Sequence, residues 1–401
     1  MNGPIGLVRS DRISGYNNLG PIHEWSEGRA YLTIDRITFD GTDGALLCYN
    51  NPPVHQVGNP GLDAYLEGLD KLSGLRDDLN FLILYGANDP VHAGGDLKES
   101  LANLDRTNEI KTEKEAAGAP PEEVDRLYDW ADKRLEKGFA LYRSIRGLAG
   151  DIRVVALCGG GTRFGGSAEI PLMADILVGD SRSGMCFSEA MIGLVPGWAG
   201  VGRTLTKAGP ENAAYMALTS REVKAPQLGE IGIYNDVVEV PFPFPRRPRT
   251  DNPQADRDAY ADLLDAHNRD TGLLLLPRGL QAATCPPGEI PDLSPGSRRV
   301  LSTKEEIARE VERRKTPGNY AQILGRPLRE VKDELAELGR PLAPQSVEAI
   351  QDLLSIYDPA AFDEAAFVRA ETEADKRVYR DPGLRAGLIA TLEQRVADFR
   401  G

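Results

Sequence analysis

Two stretches of this chain share one design, and that design leaves few folds open. In NFLILYGANDPVHAGGDLKES (residues 80–100) and RVVALCGGGTRFGGSAEI (residues 153–170), a short apolar run enters a glycine-bearing loop, passes a glycine pair and opens a helix. A short, largely apolar run of this kind is a strand buried on both faces, as in parallel sheets. Strand, loop and helix in repeated order make the βα unit of an α/β chain, and parallel strands put both loops at one sheet edge. The first N–H groups of a helix have no intrahelical acceptor. Glycine lets a ligand approach them closely. Backbone N–H groups from two such turns can converge on one oxygen and form an oxyanion hole.

The rest of the chain agrees with an α/β reading. Tyr31 to Phe39 alternates apolar and polar residues, and Ala45 to Tyr49 follows after a turn signal, which predicts a hairpin. Leu62 to Leu75 has helical spacing and leads to the strand Asn80 to Tyr85. Residues 100–150 read as charged helices interrupted at 116–121. Further strands are expected at Ile152 to Leu157, Ile176 to Gly179 and Tyr234 to Val240, and a helix at Glu211 to Leu218.

Composition then changes. PFPFPRRPRTDNP (241–253) is too rich in proline for regular structure. Its arginines could lie over phosphates, although a solvated linker is the commoner use of such a run. Four segments are expected: an irregular N-terminal stretch (1–28), a core (29–240), an insertion or subdomain with some helices (241–340), and C-terminal helices (341–401).

Two carboxylates stand beside the second glycine turn. Glu169 lies three residues past Gly166, at the start of the helix, and Glu189 follows in a loop before Pro196 and Gly197. Acids flanking an oxyanion hole suit proton transfer α to a carbonyl. Mutual repulsion and burial would set one as acid and the other as base. Each signal alone is weak, since a glycine pair is usually a plain turn and a glutamate at a helix start usually serves the helix dipole.

The net charge of −14 argues against nucleic acid as a partner. The four cysteines form no CxxC pair and the four histidines no ligand-like spacing, so no metal site is expected. No apolar run approaches bilayer length, and the first residues lack the apolar core of a signal peptide. The expected location is the cytoplasm.

The ordered motifs resemble those of the crotonase (enoyl-CoA hydratase/isomerase) superfamily. AGGDLKE is similar to that family's AGADIKE, GGSAEIPLMADI to GGGCELAMACDI, FSEAMIGLVPGWAG to PE…LGIIPGxGG, and NNPPV to its first strand-to-loop signature. The C-terminal ADKRVYRDPGLRAGLIATLEQRVADF matches its helices more loosely. The likeness covers about 28–240 and 341–401. It implies a spiral of ββα units with a C-terminal helical region that packs on a neighbouring subunit, in a trimer or dimer of trimers.

The resemblance further implies an acyl-CoA substrate with no cofactor beyond its coenzyme A moiety. The N–H groups of Gly95 and Gly166 become the oxyanion hole, and Glu169 and Glu189 the catalytic acids. His92, Ala93, Asp96 and Lys98 border the coenzyme groove, although an aspartate at a helix start such as Asp96 is equally expected as a cap. Gly197 and Trp198 wall the acyl pocket, or Trp198 simply packs. Ser167 departs from the pattern, standing where the family has a third glycine, as does the long insertion.

Hydration of an α,β-unsaturated acyl-CoA is the first expectation. Hydrolytic ring opening of a cyclic β-oxoacyl-CoA is favoured by the unusual length. Double-bond isomerisation is a further family outcome, cofactor-free oxygenation is disfavoured by the retained glutamates, and those same acids argue against a non-catalytic scaffold.

Overall fold

The computed structural model describes residues 4–290, 292–293 and 298–400. Residues 1–3, 291, 294–297 and 401, which belong to the expected N-terminal segment, insertion and C-terminal region, lie outside them. The chain divides into two compact units.

The first unit takes residues up to Gly94, Leu141–Met185 and Val223–Arg299. Its strands are β1 (Tyr16–Glu27), β2 (Ala30–Phe39), β3 (Thr42–Asn50), β4 (Phe81–Gly86), β5 (Val91–His92), β6 (Arg153–Cys158), β7 (Thr162–Phe164), β8 (Ile176–Asp180), β9 (Gly184–Cys186, whose last residue falls in the second unit), β10 (Val223–Lys224) and β11 (Asp236–Val238). Seven form one sheet in the order β1-β2-β3-β4-β6-β8-β11; the other four form a small sheet, β10-β9-β7-β5.

β2 and β3 are the expected antiparallel hairpin, with Tyr31 opposite Asn50 and Phe39 opposite Thr42. From β3 onward the large sheet is parallel. Helix Asn59–Ser73 makes the crossover from β3 to β4.

The N-terminal segment is not irregular, contrary to the sequence reading. β1 pairs with β2 along its length, with register shifts between Asn18 and Gly20 and between Pro21 and His23. Those irregularities break the alternation of an edge strand whose outer face is largely exposed, and so erase its sequence signature.

The stretch 241–340 does not stand apart as a block. Residues 241–252 are indeed irregular, but Pro253–Thr284 is one helix. Leu275, Leu276 and Leu280 from it join Phe81, Ile83, Val155, Leu157 and Val178 in the main core. From Val300 onward the chain belongs to the second unit. The helix escaped sequence reading because its first half is rich in Asp and Arg and Pro277 lies within it.

The second unit takes Gly95–Ala140, Cys186–Glu222 and the chain from Val300. It is helical: Leu97–Ala116, Pro121–Asp125, the start of Asp129–Leu148, Gly200–Ala208, Pro210–Thr219, Lys304–Lys315, Lys332–Leu338, Pro344–Ser355, Glu364–Val378 and Pro382–Leu392. Its C-terminal helices make contacts within this unit. Val368 and Phe367 meet Gly202, and Arg380 pairs with Asp125 and Asp132.

Candidate active site

β4 and β6 are parallel neighbours, with Leu82 opposite Val154 and Leu84 opposite Ala156. Both glycine loops therefore leave the same edge of the sheet, as the sequence design requires. The loops are also laced together. β5, in the first loop, pairs in parallel with β7, in the second, setting Val91 against Thr162 and His92 against Arg163.

The second loop turns at Gly165 (φ 49°) into helix Gly166–Leu172. Gly166 opens the helix, so its N–H has no intrahelical acceptor. Glu169 sits in the first turn and is 3% exposed. Its own N–H bonds the Gly165 carbonyl at 3.0 Å.

The first loop reaches this turn at Gly94. A Cβ there would stand 2.8 Å from the Phe164 carbonyl oxygen and 3.0 Å from the Gly166 nitrogen, so only glycine fits. Three further bonds hold this segment. Ala93 N–H donates to the Val54 carbonyl at 2.7 Å, Val57 N–H donates to the Gly94 carbonyl at 2.9 Å, and the Ser167 hydroxyl donates to the Ala93 carbonyl. The serine that departs from the family glycine thus ties the two loops. Gly95 is the next residue in the chain.

In the second unit, Gly95 lies under Arg134: a Cβ on Gly95 would be 2.4 Å from Nη2. Arg134 is buried, donates to Ser100 Oγ at 2.9 Å, lies 3.7 Å from the Glu99 carboxylate, and stands over the Trp198 ring. Sequence reading missed this cation. Within KRLEKGFALY it looks like one more charge on a solvated helix, and nothing local marks it as buried. Trp198 itself is buried, with its ring against Gly138.

Asp96 caps helix Leu97–Ala116, accepting from Lys98 N–H at 3.0 Å and Glu99 N–H at 3.1 Å, which is the cap role expected beside its place in the coenzyme groove. Lys98 is exposed. His92 is 2% exposed and lines a pocket with His55, Arg163 and Ser167.

Glu189 opens a short 3₁₀ turn and is buried. Its carbonyl accepts the N–H groups of Ile192, Gly193 and Leu194 at 2.9–3.0 Å, which fixes the loop. The Pro196–Gly197 turn beyond it is held by Asp375, which accepts from Val195 N–H at 2.8 Å and would be 2.5 Å from a Cβ on Gly197. Glu371 accepts from Gly202 N–H at 3.0 Å and Val201 N–H at 3.3 Å, filling the start of the next helix.

Among the described residues, no group of three or more His, Cys, Asp or Glu side chains is placed to hold a metal ion, and no helix is long and apolar enough to cross a membrane.

A mixed α/β unit with a largely parallel sheet, whose neighbouring strands deliver two interlocked glycine loops, defines a fold of the crotonase type. Residues 116–241 match the enoyl-CoA hydratase/isomerase family. Among solved structures, an enoyl-CoA hydratase from Rhodobacter sphaeroides 2.4.1 aligns with a TM-score of 0.54 at 17% identity, over 89% of this chain and 90% of that one. A carnitinyl-CoA dehydratase from Mycobacterium thermoresistibile aligns at TM-score 0.49 and 15% identity, over 88% and 87% of the two chains. An enoyl-CoA hydratase from Mycobacterium avium subsp. paratuberculosis K-10 aligns at 0.47 and 13%, over 94% and 100%. No curated protein sequence matches the chain. The chain's family match spans residues 116–241, and the likeness to these solved structures is one of fold. Its family match supports a crotonase-type reaction on a coenzyme A thioester.

Proposed function

We propose that the chain adds water to an α,β-unsaturated acyl-CoA. The observation that carries this reading is the meeting of the glycine loops at Gly94 and Gly166, with Glu169 buried one turn further on. N–H groups preorganised at a point where an enolate oxygen develops lower the barrier without reorganising. In this reading Gly166 and Gly95 supply the donors, and Glu169 and Glu189 the acid–base groups. One carboxylate takes a proton from water as its oxygen bonds to the β-carbon. The π electrons move to the thioester oxygen, and the α-carbon then takes a proton, so that the net change is addition of water. The substrate is the only source of coenzyme A in this scheme, and no further cofactor enters it.

The test is loss of the conjugated thioester absorbance of crotonyl-CoA, followed with wild type, Glu169→Gln and Glu189→Gln. A fall of about 10²-fold or more in each variant, with unchanged circular dichroism, is the expected result. Full turnover in both variants would overturn the acid–base assignment. Consumption of base with a cyclic β-oxoacyl-CoA, and none with crotonyl-CoA, would replace hydration by ring opening.

A further inference from the structure

A second polar environment lies in the first unit, behind the helix that carries Glu169. His92 and Arg163, partners across the β5–β7 pair, are both buried, at 2% and 7% exposure. With His55, Tyr49, Tyr65 and Tyr85 they line a pocket of about 50 Å³. Ser167 and Ile170 form its wall on the helix side, and Glu169 does not. Positions three apart share a helix face, whereas Glu169 points elsewhere, so the pocket is separate from the proposed acid–base chemistry.

The charges in this pocket do not balance locally. Arg163 Nη2 donates to the Gly159 carbonyl at 3.1 Å, and its buried Nε has no partner. Among the described residues no carboxylate forms an ion pair with it. Two buried carboxylates of the surrounding loops have other partners. Asp89 holds His55 Nε2 at 2.7 Å and Asn268 Nδ2 at 2.7 Å, while Asp180 holds Gly160 N–H at 2.7 Å and Arg182 at 2.8 Å. A guanidinium does not deprotonate in a protein, and a buried charge without a counter-charge is strongly unfavourable.

The other groups in the wall can bond an anion without supplying charge. His92 Nε2 is buried without a partner. Burial, the Arg163 charge and the neighbouring His55 ring hold the His92 imidazole well below its usual pKa, against the pull of the Asp89 backbone, so it is neutral. Burial pushes the Tyr65 and Tyr85 phenols up, so they also stay neutral. One fixed positive charge selects a monovalent ion. A volume of about 50 Å³ compares with about 30 Å³ for a water, so the ion has only a few heavy atoms.

We infer that this pocket is a binding site for a small monovalent oxyanion of the formate, nitrate or bicarbonate class, held by Arg163 with His92 closing over it. Such an ion would brace the β5–β7 pair, and with it the loops at Gly94 and Gly166. The site stands whether or not the chain hydrates acyl-CoA.

The probe is sodium formate on the full chain, compared with sodium gluconate at equal ionic strength, because gluconate is too large for the pocket. Formate at tenfold its dissociation constant should raise the melting temperature of wild type by about 2 °C or more relative to gluconate. Arg163→Gln and Arg163→Met should lose that difference. A second measurement needs no variant: crystals of wild type soaked in sodium bromide should show an anomalous peak within contact distance of the Arg163 guanidinium. Equal shifts in wild type and both variants, or a soaked pocket that holds only water, would overturn the proposal.

Discussion

The hydroxyl of Ser167 donates to the carbonyl of Ala93, fastening the helix that carries Glu169 to the loop that leads into Gly95. Ser167→Ala removes the donor and leaves a largely enclosed carbonyl to find another partner. The expected cost is about 1–2 kcal/mol of stability. Turnover should fall about tenfold, because slack of a fraction of an ångström between the loops misplaces the donors. Urea unfolding and kcat/KM for crotonyl-CoA check both. If neither moves, the bond does not hold the loops.

Adjacent glycines should respond in opposite ways. A Cβ on Gly94 meets the Phe164 carbonyl at 2.8 Å and the Gly166 nitrogen at 3.0 Å, both backbone atoms that cannot swing aside. A Cβ on Gly95 meets only the end of the Arg134 side chain. Gly94→Ala is therefore expected to lower kcat by about 10² or more, the scale of one lost oxyanion donor. Gly95→Ala should keep the fold and remain within about tenfold of wild type. Parallel kcat measurements with circular dichroism separate the two. Similar losses in both variants would contradict the loop geometry.

What was legible in the sequence follows from what is local. The runs that became β4 and β6 are apolar and flanked by glycine, so strand and turn were both visible, and their parallel pairing followed from the crossover rule. Glu169 and Gly166 were legible because spacing along a helix start is fixed. β1 was not, because its register shifts break the alternation that marks a strand. Arg134 and Arg163 were not, because burial of a charged residue is decided by segments far away in sequence. Arg163 is buried through β5 and the pocket walls, and Arg134 through Trp198 and Ser100. Asp375 and Glu371 look like surface charges on an amphipathic helix until their targets, the Val195 and Gly202 N–H groups, are known.

Those two carboxylates give a stability prediction for the second unit. Glu371 is fully buried and satisfies backbone donors at Val201 and Gly202. Glu371→Ala leaves both without it and should cost about 2–3 kcal/mol, whereas Glu371→Gln keeps an acceptor oxygen and should cost less. Hydrogen exchange at residues 195–204 should rise in the alanine variant. Unchanged protection there would show that the carboxylate does not anchor the loop.

The four histidines, His23, His55, His92 and His267, all lie in the first unit, which makes its pH response distinct. Burial, then Lys71, lowers the pKa of His23; burial, then Arg163 and His55, lowers that of His92; burial, then Arg182, lowers that of His267. In the unfolded chain each titrates near about 6.5. As pH falls below that value, the unfolded chain binds protons that the folded unit refuses. Stability is thus fully present above about pH 6.5 and is lost as pH falls toward the folded pKa values. The slope reaches at most about 1.4 kcal/mol per pH unit for each histidine still neutral in the fold. The second unit has no histidine. Its Glu310 carboxyl, despite burial, is held below its ordinary value by Arg221 and Arg314, so it begins to matter only at lower pH. Hydrogen exchange on the full chain at pH 7.5 and 5.5, corrected for intrinsic rates, should show loosening in β1, β2 and helix Pro253–Thr284, with little change in helices Lys304–Lys315 and Pro344–Ser355. His92→Gln should reduce the loosening of the first unit. Equal loosening in both units would mean that the histidines do not set the response.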